Sequence, residues 1–186
     1  MKNLVYLCAV LIAAVAAALA GAYAAPLTLS GVASRFAQRP VEVRCYEPGE
    51  RTDDPRYFDP SLIGAWGYVW IGDNVENMAP EVCEGALAIA DPASSVAAWK
   101  QALGALVIAH ESYHLRLNLG NRGNEAATEC RAIRHFKYTV QFLGGSPSLA
   151  ERLLPYALSI HWRIAARYPE YYQESCVVPN YWPPSE

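Results

Sequence analysis

Between Val96 and Leu119, Trp99, Leu103, Leu106, His110, His114 and Leu117 recur at three- and four-residue spacing, so they share one stripe of a predicted helix. Asp91-Pro92-Ala93-Ser94-Ser95 supplies the start of that helix and Gly120 its stop. A second helix is predicted from Glu125 to about Leu143, with Asn124 at the cap position and Gly144-Gly145 beyond its end. On it Glu125 and Glu129 share a face with Ala132, Phe136 and Val140. Ser148 and Glu151 form a capping box for a third helix, which Pro155 kinks or splits and which ends near Tyr168-Pro169. Upstream the period changes to two. Val41–Cys45 reads as a short strand. Gly64–Gly72 reads as a half-buried hairpin or edge strand with Trp66, Tyr68 and Trp70 on one face. The rest of residues 26 to 60, rich in Pro, Gly and Asp, reads mainly as loop, and the tail from Tyr171 as extended chain. The pattern predicts an α+β fold, mainly α, with a small N-terminal β element.

The first 25 residues carry a different pattern. Lys2 precedes an unbroken apolar run from Leu4 to Ala20, and Ala22-Tyr23-Ala24 has the form of an A-x-A cleavage site. This is the layout of a secretory signal peptide. The rival reading is an uncleaved anchor through residues 4–25, a stretch nearly long enough to cross the hydrocarbon core. A lipid anchor at Cys8 fits poorly, because Leu7 stands before it where a small residue is expected. Either way residues 26–186, a length suited to a single domain, are expected outside the cytoplasm, secreted or anchored at the outer face of the membrane. Beyond Cys8 there are four cysteines: Cys45, Cys83, Cys130 and Cys176. No C-x-x-C pair exists among them, so they read as two disulfides rather than a metal site. Of the three pairings, Cys45–Cys83 with Cys130–Cys176 staples the two halves flanking the histidine helix.

Hydrophobic residues make up 53% of the chain and charged residues 18%, enough apolar material for a packed core. A net charge of -3 and a pI near 5.8 provide no basic face for nucleic acid.

The chemistry concentrates at His110-Glu111-Ser112-Tyr113-His114. One helical turn apart, the two imidazoles can converge on one metal ion. Glu111, next to the first of them, can reach a water as general base rather than the metal. The bland alternative is a pair of core histidines satisfied by hydrogen bonds. Two inward acids on the next helix, Glu125 and Glu129, would be costly there without a cation or strong donors. Their own bland reading is two solvated acids at a helix start, favoured by its dipole.

With Asn124-Glu125-Ala126-Ala127-Thr128-Glu129 downstream, the motif resembles the gluzincin pattern of thermolysin-like peptidases. More loosely, the run from Ala109 to Cys130, with Cys176 and Trp182-Pro183 beyond, is similar to small bacterial H-E-x-x-H proteins carrying an N-terminal signal or anchor. The resemblance implies a minimal zincin-like core and a Zn2+ cofactor held by His110, His114 and Glu125. It also implies Glu111 as the base and Glu129 as the acid behind a ligand histidine, with a peptide or protein as substrate. Ten residues separate His114 from Glu125, fewer than in thermolysin-like enzymes, so Glu129 stays open as the alternative ligand. The metzincin pattern is excluded, because Leu117 and Gly120 stand where its Gly and third His belong. A donor to the tetrahedral oxyanion is usual in the family. His161, Tyr168, Tyr171 and Tyr172 are candidates, while His135 falls off the inward face. The Trp66–Ile71 strand, by analogy with related folds, would pair with an extended substrate. The rival to peptide hydrolysis is a catalytically inactive exported module in which the same ligands hold zinc for structure or partner binding. A non-metal binding domain is the third reading.

Overall fold

The computed structural model describes residues 27–45, 66–69, 74–116, 124–172 and Cys176. It is α+β and mainly helical. In chain order the elements are α1 (Leu29–Ala37), β1 (Glu42–Cys45), β2 (Gly67–Val69), β3 (Val75–Met78) and α2 (Pro80–Ala88). Then follow α3 (Ala98–Leu115), α4 (Glu125–Phe142), α5 (Pro147–Arg167) and a 3-10 turn, Pro169–Tyr171.

Helix α3 is the axis of the fold. Every residue from Gln101 to Tyr113 is buried, as expected of a helix apolar on nearly all sides. Helices α1, α2, α4 and α5 and strands β2 and β3 pack around it. The helix is shorter than the predicted Val96–Leu119, and Leu117–Gly120 lie outside the described residues. Its start also differs. Asp91 Oδ1 and Ser94 Oγ accept hydrogen bonds from the Ala93 and Val96 amides in the turn before it, rather than capping the helix. Trp99 does not belong to the inward stripe; it is 48% exposed, because it sits in the first turn, ahead of the buried stretch.

Helix α4 starts as predicted. The Asn124 side chain accepts from the Ala127 amide at 2.9 Å, and Ala132, Phe136 and Val140 are fully buried. Gly144, just past its end, has φ 95°. Helix α5 corrects two expectations. Its cap is Ser146, which accepts from the Leu149 amide, not Ser148. Pro147 then takes the first helical position, where no N–H is needed, and Glu151 pairs with Lys137 instead of closing a capping box. Pro155 does not split the helix, which runs unbroken to Arg167. Pro155 and Glu151 both lie on the exposed face, where water can take the carbonyl that the proline leaves without a donor.

The three strands form one sheet in the order β1-β3-β2, β1 parallel and β2 antiparallel to β3. β1 falls within Val41–Cys45, the stretch whose alternation reads as a strand. Within Gly64–Gly72 the described strand is Gly67–Val69, an edge strand. Tyr68 is buried but Trp66, just ahead of it, is exposed, and Trp70 lies outside the described residues. The expected shared face therefore does not form between Trp66 and Tyr68. The loop expected across residues 26 to 60 contains a helix, α1, whose Val32, Ala33, Phe36 and Ala37 enter the core. Disulfides join Cys45 to Cys83 and Cys130 to Cys176. The first ties β1 to α2, and the second ties α4 to the tail. Among the described residues no helix is long and apolar enough to cross a membrane; residues 1–25 lie outside them.

Candidate metal centre

The packing of α4 against the last turns of α3 determines which side chains meet. His110 and His114, one turn apart on α3, face the first turn of α4. Their Nε2 atoms are 3.0 Å apart. Glu125 Oε2 lies 3.1 Å from His110 Nε2 and 3.2 Å from His114 Nε2. Two imidazole nitrogens and one carboxylate oxygen thus make a nearly equilateral triangle, a grouping of the kind that can hold a metal ion.

Glu129, one turn further along α4, lies behind this triangle. Its Oε2 accepts from His110 Nδ1 at 2.8 Å, on the opposite side of the ring from Glu125. Its Oε1 is 3.1 Å from Nδ1 of His161 on α5. Burial favours the neutral acid, but hydrogen bonds from His110 and His161, and their charges, push the Glu129 carboxyl down to about 2. Glu125 is likewise held below the usual carboxylate range; burial opposes this and His110 and His114 outweigh it. For His110 burial disfavours the charged ring, yet hydrogen bonds to Glu125 and Glu129, with the charges of Glu129 and Glu111, raise it to about 10.

Glu111 is buried beside the cluster, 8% exposed. Burial pushes its carboxyl up; the charges of His110 and His114 oppose, and those of Glu125 and Glu129 reinforce. Strand β2 passes directly over it. A Cβ on Gly67 would stand 3.0 Å from Glu111 Cγ and 2.8 Å from Val107 Cγ1, so only a residue without a side chain lets the strand run this close. Tyr171, in the 3-10 turn after α5, stacks on His110 with ring centroids 5.7 Å apart and planes 24° apart. Burial, the charges of Glu125 and Glu111, and a hydrogen bond with Glu125 all raise its phenol, which therefore keeps its proton.

Of the residues singled out from sequence, the fold brings together His110, Glu111, His114, Glu125 and Glu129. Tyr171 joins them, while Tyr168 and Tyr172 stay exposed. His161 also joins, but it is buried and meets Glu129 rather than a corner of the triangle. His135 is exposed and packs with Phe36, Tyr113 and Tyr138. Sequence reasoning misses Glu76 and Asn77 on β3, both fully buried. Glu76 Oε1 accepts from Ser112 Oγ inside the histidine motif at 2.7 Å, and Glu76 Oε2 is buried without a hydrogen-bond partner among the described residues. Compared with protein-family models, with curated proteins and with solved structures, the chain has no match.

Proposed function

We propose that this chain is an exported zinc-dependent peptidase with a minimal zincin-like core, in which His110, His114 and Glu125 hold the metal and Glu111 is the general base. The triangle of His110 Nε2, His114 Nε2 and Glu125 Oε2, with sides of 3.0, 3.1 and 3.2 Å, carries this reading. A tetrahedral zinc with ligands about 2.0–2.1 Å away sets neighbouring ligand atoms about 3.3 Å apart. Two imidazoles and one carboxylate also leave a fourth position, as catalytic zinc requires. Glu129 accepts from His110 Nδ1, which leaves the Nε2 lone pair to face the ion. The gluzincin resemblance assigns the same residues to these roles.

Zinc held there supplies a Lewis acid that brings the pKa of a water to about 7 and polarises a carbonyl. Glu111 takes the proton of the attacking water and passes it to the leaving amine. Its burial raises its basicity toward the range a general base needs. Tyr171 keeps its O–H and serves as donor to the oxyanion. Strand β2, at the sheet edge and against Glu111, offers its backbone to an extended peptide. The two disulfides are compatible with an exported protein, for which residues 1–25 serve as signal peptide or anchor.

The test is zinc content and hydrolysis of a peptide library by the exported domain and by Glu111→Gln. Wild type should carry one zinc and cleave; Glu111→Gln should keep the zinc and lose about 10²–10⁴ of kcat. Zinc without cleavage would leave an inactive zinc module. No zinc at all would end the reading.

A further inference from the structure

The Glu129 carboxylate is held at both oxygens by imidazoles from two different helices. His110 on α3 takes Oε2 at 2.8 Å, and His161 on α5 takes Oε1 at 3.1 Å. All three side chains are buried, at 6%, 2% and 3% exposure for His110, Glu129 and His161. A carboxylate only accepts, so each imidazole presents Nδ1–H to it. We propose that His161 is a positioning residue for the metal centre, acting through Glu129 to fix the ring of His110. This rests on the zinc reading of the preceding section.

The last torsion of a glutamate is soft, so a carboxylate anchored at one oxygen swings about it. Bonded only to His110, Glu129 could tilt its plane and carry the imidazole with it. The second bond, from His161, removes that freedom. It fixes where Oε2 stands, hence where His110 Nδ1–H must point, and hence where Nε2 on the far side of the ring is aimed. That nitrogen is one corner of the triangle. His161 also keeps Glu129 Oε1 from being an unpaired acceptor in the core. Helix α5 thereby takes part in the site without supplying a ligand.

The sequence signal was a single histidine on α5 among Ala157, Leu158 and Ala165, all buried, which by itself is indistinguishable from a core histidine. The Nδ1 contact with Glu129 is what separates the two roles.

Zn2+ affinity, measured by competition with a chromogenic chelator, tests the proposal in wild type, His161→Phe and His161→Asn. Phe fills the space without a donor; Asn places an amide N–H near the position of Nδ1. Outer residues of this kind are worth about 10–100-fold in metal affinity. His161→Phe should bind zinc at least tenfold more weakly, and His161→Asn should recover most of the loss. Where Phe crowds the site, His161→Leu takes its place. A residue that only fills the core would alter the unfolding temperature of these variants and leave their zinc affinities equal to wild type, and that result overturns the proposal. So does a folded His161→Asn that binds as weakly as His161→Phe. A wild type that takes up no zinc sinks the metal reading itself, whereas tight wild-type binding with equal variants sinks only the role of His161.

Discussion

Ser112 has one hydroxyl hydrogen and two oxygens close to it, the Ile108 carbonyl at 2.6 Å and Glu76 Oε1 at 2.7 Å. The hydroxyl donates toward both, so its one hydrogen is shared and Glu76 receives only part of a hydrogen bond from it. Burial raises Glu76 well above the usual carboxylate range; the charge of Glu111 adds to this, and the Ser112 bond and His110 oppose. An acid whose folded pKa is raised binds an extra proton in the native state. Its contribution is whole below the unfolded value of 4.5 and is lost as pH rises toward the folded value. Glu76→Gln keeps the shape and can accept from Ser112 without titrating. Its stability relative to wild type should grow by about 1.4 kcal/mol per pH unit above pH 4.5 until Glu76 ionises in the fold. Denaturant unfolding of both proteins from pH 4.5 to 9 measures this, and a constant difference would show Glu76 ionised throughout. None of it was legible in Val75-Glu76-Asn77-Met78, where two polar residues at the centre hide a strand. The histidine motif was legible because helical spacing alone puts His110 and His114 on one side.

Helices α3 and α4 were visible as elements because each is long enough for its period to show, and Asn124 marks the start of α4. Helices α1 and α2 were not. Each has nine residues, too few for a period, and each contains a glycine that reads as a turn. In α2 that glycine has a packing reason. Gly85 lies against the Lys100 carbonyl, and Gly104 of α3 lies against the backbone of Val82 and Ala86, so the two helices cross with backbone touching backbone. A Cβ at position 104 would stand 2.6 Å from the Val82 carbonyl oxygen, a neighbour that cannot rotate away. Overpacking a core usually costs about 1–3 kcal/mol. Gly104→Ala should therefore reach the upper end, about 3 kcal/mol, in a denaturant titration. A loss under about 0.5 kcal/mol would mean that the helices separate easily. Since α3 also carries both histidines, the crossing with α2 sets where the histidine helix sits in the molecule.

At the scale of the whole chain, the α+β class and the disulfide pairing were legible, the first from periodicity and the second from an even cysteine count and the position of each cysteine about the motif. The two bridges close stretches of similar length, with sequence separations of 38 and 46. Chain entropy alone assigns each about 4 kcal/mol, so by stability they are near equals. Their positions are not. Cys45–Cys83 joins the sheet to α2, neither of which carries a corner of the triangle. Cys130 follows Glu129 in α4, and its partner Cys176 lies five residues beyond Tyr171, so this bridge tethers the turn whose ring stacks on His110. Five residues span at most about 17 Å, which confines Tyr171 near the site even when its stacking breaks. Cys130→Ser/Cys176→Ser and Cys45→Ser/Cys83→Ser should lose comparable stability, about 2–4 kcal/mol each. Both should still take up zinc, because the proposed ligands His110, His114 and Glu125 stand on α3 and α4. Peptide hydrolysis per bound zinc should fall only in the first pair, by about the 10²–10³ that one oxyanion donor is worth if Tyr171 is fully displaced. Equal turnover per zinc in the two proteins would separate the C-terminal bridge from the chemistry.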